Sequence, residues 1–114
     1  MPHFILDCTE RVLEIHEPKK VLEAVFEIAF STGLFEKNDI KVRLNPYKHS
    51  LVQGADNDFI HVFGNIMEGR NDEQKANLSK AIVTKLNEMF LDVPIISMNV
   101  RDFEKASYCN KTMI

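Results

Sequence analysis

The sequence predicts an α/β fold, two tandem βαβ units forming a four-stranded sheet with both helices on one face. Three observations lead there. The order strand, helix, strand can be read twice along the chain. Ile40 and Ile96 hold corresponding places about half the chain apart, which marks an internal duplication at the level of pattern. Successive parallel strands joined by helices take right-handed crossovers, so two such units in one sheet place both helices on the same side.

The first strand is Met1 to Thr9, a short apolar segment in which Phe4, Ile5 and Leu6 are consecutive, implying burial on both faces. A helix near 18 to 32 follows: Pro18 suits its first turn, Val21, Leu22, Val25, Phe26 and Ala29 recur at helical spacing, and Gly33 supplies the C-terminal cap. Ile40, Val42 and Leu44 alternate with Lys41, Arg43 and Asn45 in a half-buried second strand that Pro46 is expected to close. The polar segment Ser50 to Asn57 connects the halves.

The third strand, Phe59 to Met67, places Ile60, Val62, Gly64 and Ile66 on one face and Phe59, His61, Phe63, Asn65 and Met67 on the other. Asn71 or Asp72 can cap a second helix, from about 72 to 90, whose apolar stripe is Leu78, Ile82, Leu86, Met89 and Phe90. After Pro94, Ile96, Met98 and Val100 alternate with Ser97, Asn99 and Arg101 in a fourth strand. The polar tail beyond it is expected to be ordered only by packing on a neighbouring subunit. The helix-free face would carry Phe59, Phe63, Met67 and Phe103 beside polar groups, too apolar to stay wet and too polar for a dry core, so association of several subunits is expected.

At 114 residues, 45% of them hydrophobic, residues 1–114 are expected to form a single domain with a core that needs no metal or disulfide. A net charge of −3 without a run of basic residues argues against a nucleic-acid partner. No apolar stretch approaches the roughly 20 residues of a spanning helix, and the first residues lack a signal peptide's features, so no membrane partner and a cytoplasmic location are expected. Cys8 and Cys109 are then expected to remain thiols. His3, His16, His49 and His61 lack metal-ligand spacing, and the glycine-rich and serine motifs of nucleotide binding and hydrolysis are missing. His61, within an apolar strand, reads as a hydrogen-bonded core residue.

Pro2 has two readings. It can simply open a strand; alternatively, removal of Met1 would leave a secondary amine that serves as base or nucleophile without any side chain. An apolar wall and nearby cations would lower its pKa toward neutrality. Lys41, Arg43 and Arg70 likewise read either as solvated surface charge or as carboxylate ligands, Arg in the bidentate manner and Lys as a point charge. Gly69-Arg70 lies beside a helix N-terminus, which also attracts anions.

Met-Pro-His-Phe-Ile at the start, Thr32-Gly33-Leu34-Phe35, Ile40-Lys41-Val42-Arg43, Phe59-Ile60-His61-Val62 and Gly69-Arg70 together resemble the 5-carboxymethyl-2-hydroxymuconate isomerase family of the tautomerase superfamily. The resemblance runs nearly the whole length and keeps the order and spacing of the blocks. It implies a tautomerase-like homotrimer without cofactor. Pro2 would be the catalytic base that moves a proton between carbons of an unsaturated dicarboxylic keto or enol acid, a small-molecule carboxylate substrate of the kind handled in aromatic catabolism. Arg70 matches an arginine that binds and polarises the substrate. The family has Ile-Arg-x-Arg where this chain has Ile40-Lys41-Val42-Arg43, so Lys41 keeps the positive charge without the bidentate geometry. Other chemistries of the superfamily (phenylpyruvate tautomerisation, hydration, dehalogenation) would use the same proline, and a non-catalytic binding or structural member is the remaining class.

Overall fold

The computed structural model describes residues 1–114. Strand β1 (His3–Thr9) is followed by helices α1 (Val12–Ile15) and α2 (Pro18–Ser31), strands β2 (Lys41–Tyr47) and β3 (Phe59–Met67), helix α3 (Asp72–Met89) and strand β4 (Ile95–Phe103). The strands form one sheet in the order β2-β1-β3-β4. β1 runs parallel to β2 and β3 parallel to β4, while the halves join antiparallel through β1 and β3. Both βαβ units are thus present, with the chain's first strand at the centre.

Strand alternation and helix periodicity converge on one core. Phe4, Leu6 and Cys8 of β1 and Ile60, Val62 and Ile66 of β3 point to the same side, where Val21, Val25 and Ala29 of α2 and Leu78, Ile82 and Leu86 of α3 meet them. Each buried aliphatic or aromatic side chain of this set contributes about 1.5–3 kcal/mol relative to exposure. Asn71 is the residue that caps α3: its Oδ1 accepts from the Gln74 amide at 2.8 Å, and Gln74 Oε1 accepts from the Asn71 amide at 2.9 Å.

The opposite face of the sheet has no helix on it. Ile5 lies between Arg43 and Phe63, and Phe63 lies beside Asn99, so apolar and polar groups share this rung, while the rungs on either side, Lys41–His3–Asn65–Arg101 and Asn45–Asp7–His61–Ser97, are polar. Phe63 is 37% exposed there. His61 sits on the same face; its ring nitrogens contact Ser97 Oγ at 2.7 Å and Asn99 Oδ1 at 2.8 Å.

Three expectations are corrected. Pro46 does not close β2; it pairs opposite Cys8 and the strand continues to Tyr47. β2 is an edge strand, in which a residue without an N–H is tolerated where the amide would face outward. The short helix α1 was not anticipated, because one turn carries too little periodicity to read, although its Val12 is buried. The tail is not ordered by a neighbour alone. The Lys105 amide donates to Glu68 Oε1 at 2.6 Å, and the rings of Phe103 and Tyr108 lie 5.8 Å apart. No helix is long and apolar enough to cross a membrane.

Candidate active site

Pro2, Lys41 and Arg70 gather where β1 begins. Pro2 is buried, and its carbonyl accepts the Lys41 amide at 3.1 Å, tying the start of the chain to the start of β2. Gly33, at φ +76°, ends α2 and turns the chain into Leu34 and Phe35. A 3-10 turn, Lys37–Asp39, then leads into β2 and carries Asp39 back toward the chain start.

Gly69, at φ +125°, performs the corresponding turn after β3 and delivers Arg70. The Arg70 guanidinium donates to the carbonyls of Leu34 and Met67 and lies 5.1 Å from the Phe35 ring centroid. Main-chain oxygens and an aromatic face hold it, with no carboxylate among its hydrogen-bond partners.

A cavity of about 220 Å³ opens at this junction, lined by Met1, Pro2, Leu34, Phe35, Asp39 and Arg70 among others. A second, of about 480 Å³, shares Met1 and Arg70 with the first and adds Met67, Lys105, Tyr108 and Met113. Burial pushes the amino group at the chain start below its usual range; Asp39 opposes that shift, while Lys41 and Arg70 reinforce it.

Pro2 and Arg70 therefore line one cavity, with the charge of Lys41 acting on the Met1 amine beside them. Lys41 Nζ donates to the Asp39 carbonyl at 2.8 Å. Arg43 stands apart, exposed and 3.0 Å from His3 Nδ1. The sequence reading did not single out Asp39, Lys105 or Tyr108. Asp39 reaches the site only through the turn before β2, and Lys105 and Tyr108 through the folding back of the tail; neither leaves a local pattern. No three His, Cys, Asp or Glu side chains converge into a metal-binding group.

This arrangement places a buried Pro2, the Met1 amine of lowered proton affinity and the cation of Arg70 around one cavity. Residues 2–114 match the model of the family described as 5-carboxymethyl-2-hydroxymuconate isomerase. The chain belongs to that family.

Solved structures agree with the family assignment at the level of fold. A 5-carboxymethyl-2-hydroxymuconate isomerase from Deinococcus radiodurans R1 superposes with a TM-score of 0.84 at 20% identity, over 96% of this chain and 88% of that one. A 5-carboxymethyl-2-hydroxymuconate delta-isomerase gives 0.78 at 14% identity, over 97% and 87%. A fused 4-OT in a symmetric trimer gives 0.82 at 19% identity, over 98% and 95%. No curated protein matches by sequence. Family and fold together support an isomerase-type protein with the tautomerase architecture.

Proposed function

We propose that the protein is a proton-transferring isomerase whose base is the amine of Pro2, released by removal of Met1. As one domain, assembled into a homotrimer in the cytoplasm, it would act on an unsaturated dicarboxylic acid. The observation that carries this reading is the placement of Pro2, buried and lining a cavity with Arg70, at a spot where burial, Lys41 and Arg70 already lower the proton affinity of the Met1 amine next to it. An amine so placed is neutral over more of the physiological range than a solvated one, as a base requires.

In the proposed reaction Pro2 takes a proton from the carbon next to a carbonyl. The C–H bond breaks and its electron pair passes into the conjugated system, leaving negative charge on the dienolate oxygen. Arg70, with Lys41 as a second cation, stabilises that charge and anchors a carboxylate. The ammonium of Pro2 then returns the proton to a distant carbon, and the double bond is relocated. Phe35 supplies apolar wall beside Arg70, which strengthens the electrostatics by excluding water. Trimer formation is supported by the mixed, helix-free face of the sheet and by the trimeric fused 4-OT with the same fold.

The test is twofold. Protein isolated from its own host should have an intact mass lacking Met1. Replacement Pro2→Ala should lower kcat on 2-hydroxymuconate, an unsaturated dicarboxylic acid, by about a hundredfold, the scale of a lost general base. Undiminished turnover by Pro2→Ala, or retention of Met1 in active enzyme, would overturn the assignment.

A further inference from the structure

The larger cavity beside the amine is bounded on one side by the C-terminal tail, the segment expected to have no order of its own. The Lys105 amide is fixed to Glu68 at 2.6 Å, and Asn110 Nδ2 donates to Tyr108 Oη at 3.4 Å. Asn110 Oδ1 in turn accepts the Thr112 amide at 3.0 Å, capping the final 3-10 turn that carries Met113. These bonds hold Tyr108 and Met113 at the cavity that Met67 also lines, with Arg70 and Lys105 as its cations. Its volume of about 480 Å³ falls within the ordinary range of small-molecule sites, roughly 300–1,000 Å³.

Met1 is the wall that this cavity and the smaller, Pro2-lined one have in common, together with Arg70. We propose that loss of Met1 joins the two cavities into one elongated site, in which Lys105 binds a second carboxylate and Tyr108, Met67 and Met113 enclose an apolar middle section. The tail is then the specificity element, selecting acids with an anionic group at each end of an apolar body. This rests on the proposed release of Pro2 and identifies which acids that site accepts. Lys41 and Arg43 are not needed for the second carboxylate, since neither lines this cavity.

Two non-reacting probes separate this inference from the chemistry: phenylacetate, with one carboxylate, and benzene-1,4-diacetate, with two. Calorimetric titration of the protein lacking Met1 should show the diacetate binding about tenfold more tightly, the scale of one added charge-assisted hydrogen bond. Lys105→Met should bring the two affinities within about threefold of each other, and Met113→Ser should weaken both probes together. Both substituted residues are exposed, so folding is not at risk. A preference for the diacetate that survives Lys105→Met, or no binding of either probe, would overturn the inference. A Lys105-dependent preference in a protein without isomerase turnover would support the inference and reject the proposed reaction. Turnover of a dicarboxylic acid with no effect of Lys105→Met would do the reverse.

Discussion

The guanidinium of Arg43 donates to Nδ1 of His3 at 3.0 Å. Arginine has no acceptor, so the imidazole must take this bond in its neutral form with its proton on Nε2. Burial, then Arg43 and Lys41, push the His3 pKa below its ordinary value. A depressed histidine pKa means that the unfolded chain binds the proton more readily. The stability contributed by neutral His3 is therefore present above the unfolded value and is lost as pH falls through it toward the lower folded one. Arg43→Gln should raise the His3 pKa, measured by NMR titration. An unchanged or lower value would show that the ring is not held by this contact.

Because Arg43 is engaged with His3 and Arg70 lines the amine's cavity, the two arginines should differ as variants. Arg70→Gln is expected to reduce kcat/KM by about a hundredfold or more, the scale of losing a charged donor to a developing oxyanion. Arg43→Gln should cost less than tenfold. Steady-state kinetics on one dicarboxylic substrate decides the order, and equal losses would place Arg43 in the site.

Asp39 is the one group that raises the proton affinity of the Met1 amine, and it lines the cavity that Pro2 lines, so it is the counter-charge expected for the Pro2 amine once Met1 is removed. Asp39→Asn removes that support, so the amine's pKa should fall. The acid limb of the kcat/KM profile should then move to lower pH, with no matching shift in the base limb. An acid limb that stays in place or moves upward would exclude Asp39 as the counter-charge.

Cys8 is buried on β1, and its thiol pKa is pushed up to about 11 by burial and by Asp7, whereas Cys109 is exposed. A thiolate-reactive disulfide reagent near pH 8 should therefore titrate one cysteine in the native protein and both in denaturant. The folded protein retains the proton better than the unfolded chain, so the stability advantage of Cys8 should be complete below the ordinary thiol value of 9.0 and decline as pH rises toward about 11. Comparing denaturation midpoints of the parent and Cys8→Ala across that window checks the sign.

The open face gives an assembly prediction. Phe63 is the exposed aromatic of its central strand, so Phe63→Asp should lower the mass seen by light scattering from that of a trimer toward that of a monomer. An unaltered mass would place the subunit contact elsewhere.

The elements legible in the sequence were those whose side chains repeat with a fixed period. Val21, Val25 and Ala29, and Leu78, Ile82 and Leu86, declared two helices and the faces they bury. Gly33 and Asn71 marked where one ended and the other began. Pro46 misled because a rule for central strands does not bind an edge strand. Of the residues proposed for the site, Pro2 and Arg70 are the two that neighbouring chain and family resemblance single out and that line one cavity. Asp39, Lys105 and Tyr108 were not, since each arrives by a turn whose destination depends on contacts far along the chain. The separation of Arg43 from Arg70 is likewise a matter of tertiary position, invisible to residue type.

β1 is hydrogen-bonded on both sides, to β2 and to β3, and the proposed base is the nitrogen of Pro2, the residue directly before it, whose carbonyl is itself bonded to the Lys41 amide. A base carried on a side chain can adjust by changing rotamer when its surroundings shift; a terminal imino group has no such joint. Any displacement of the strand is transmitted undiminished to the reacting nitrogen. Substitutions that leave a void beneath Phe4 or Leu6 should accordingly impair turnover at temperatures where the molecule is still wholly folded, so that catalytic decline precedes melting as the core is loosened.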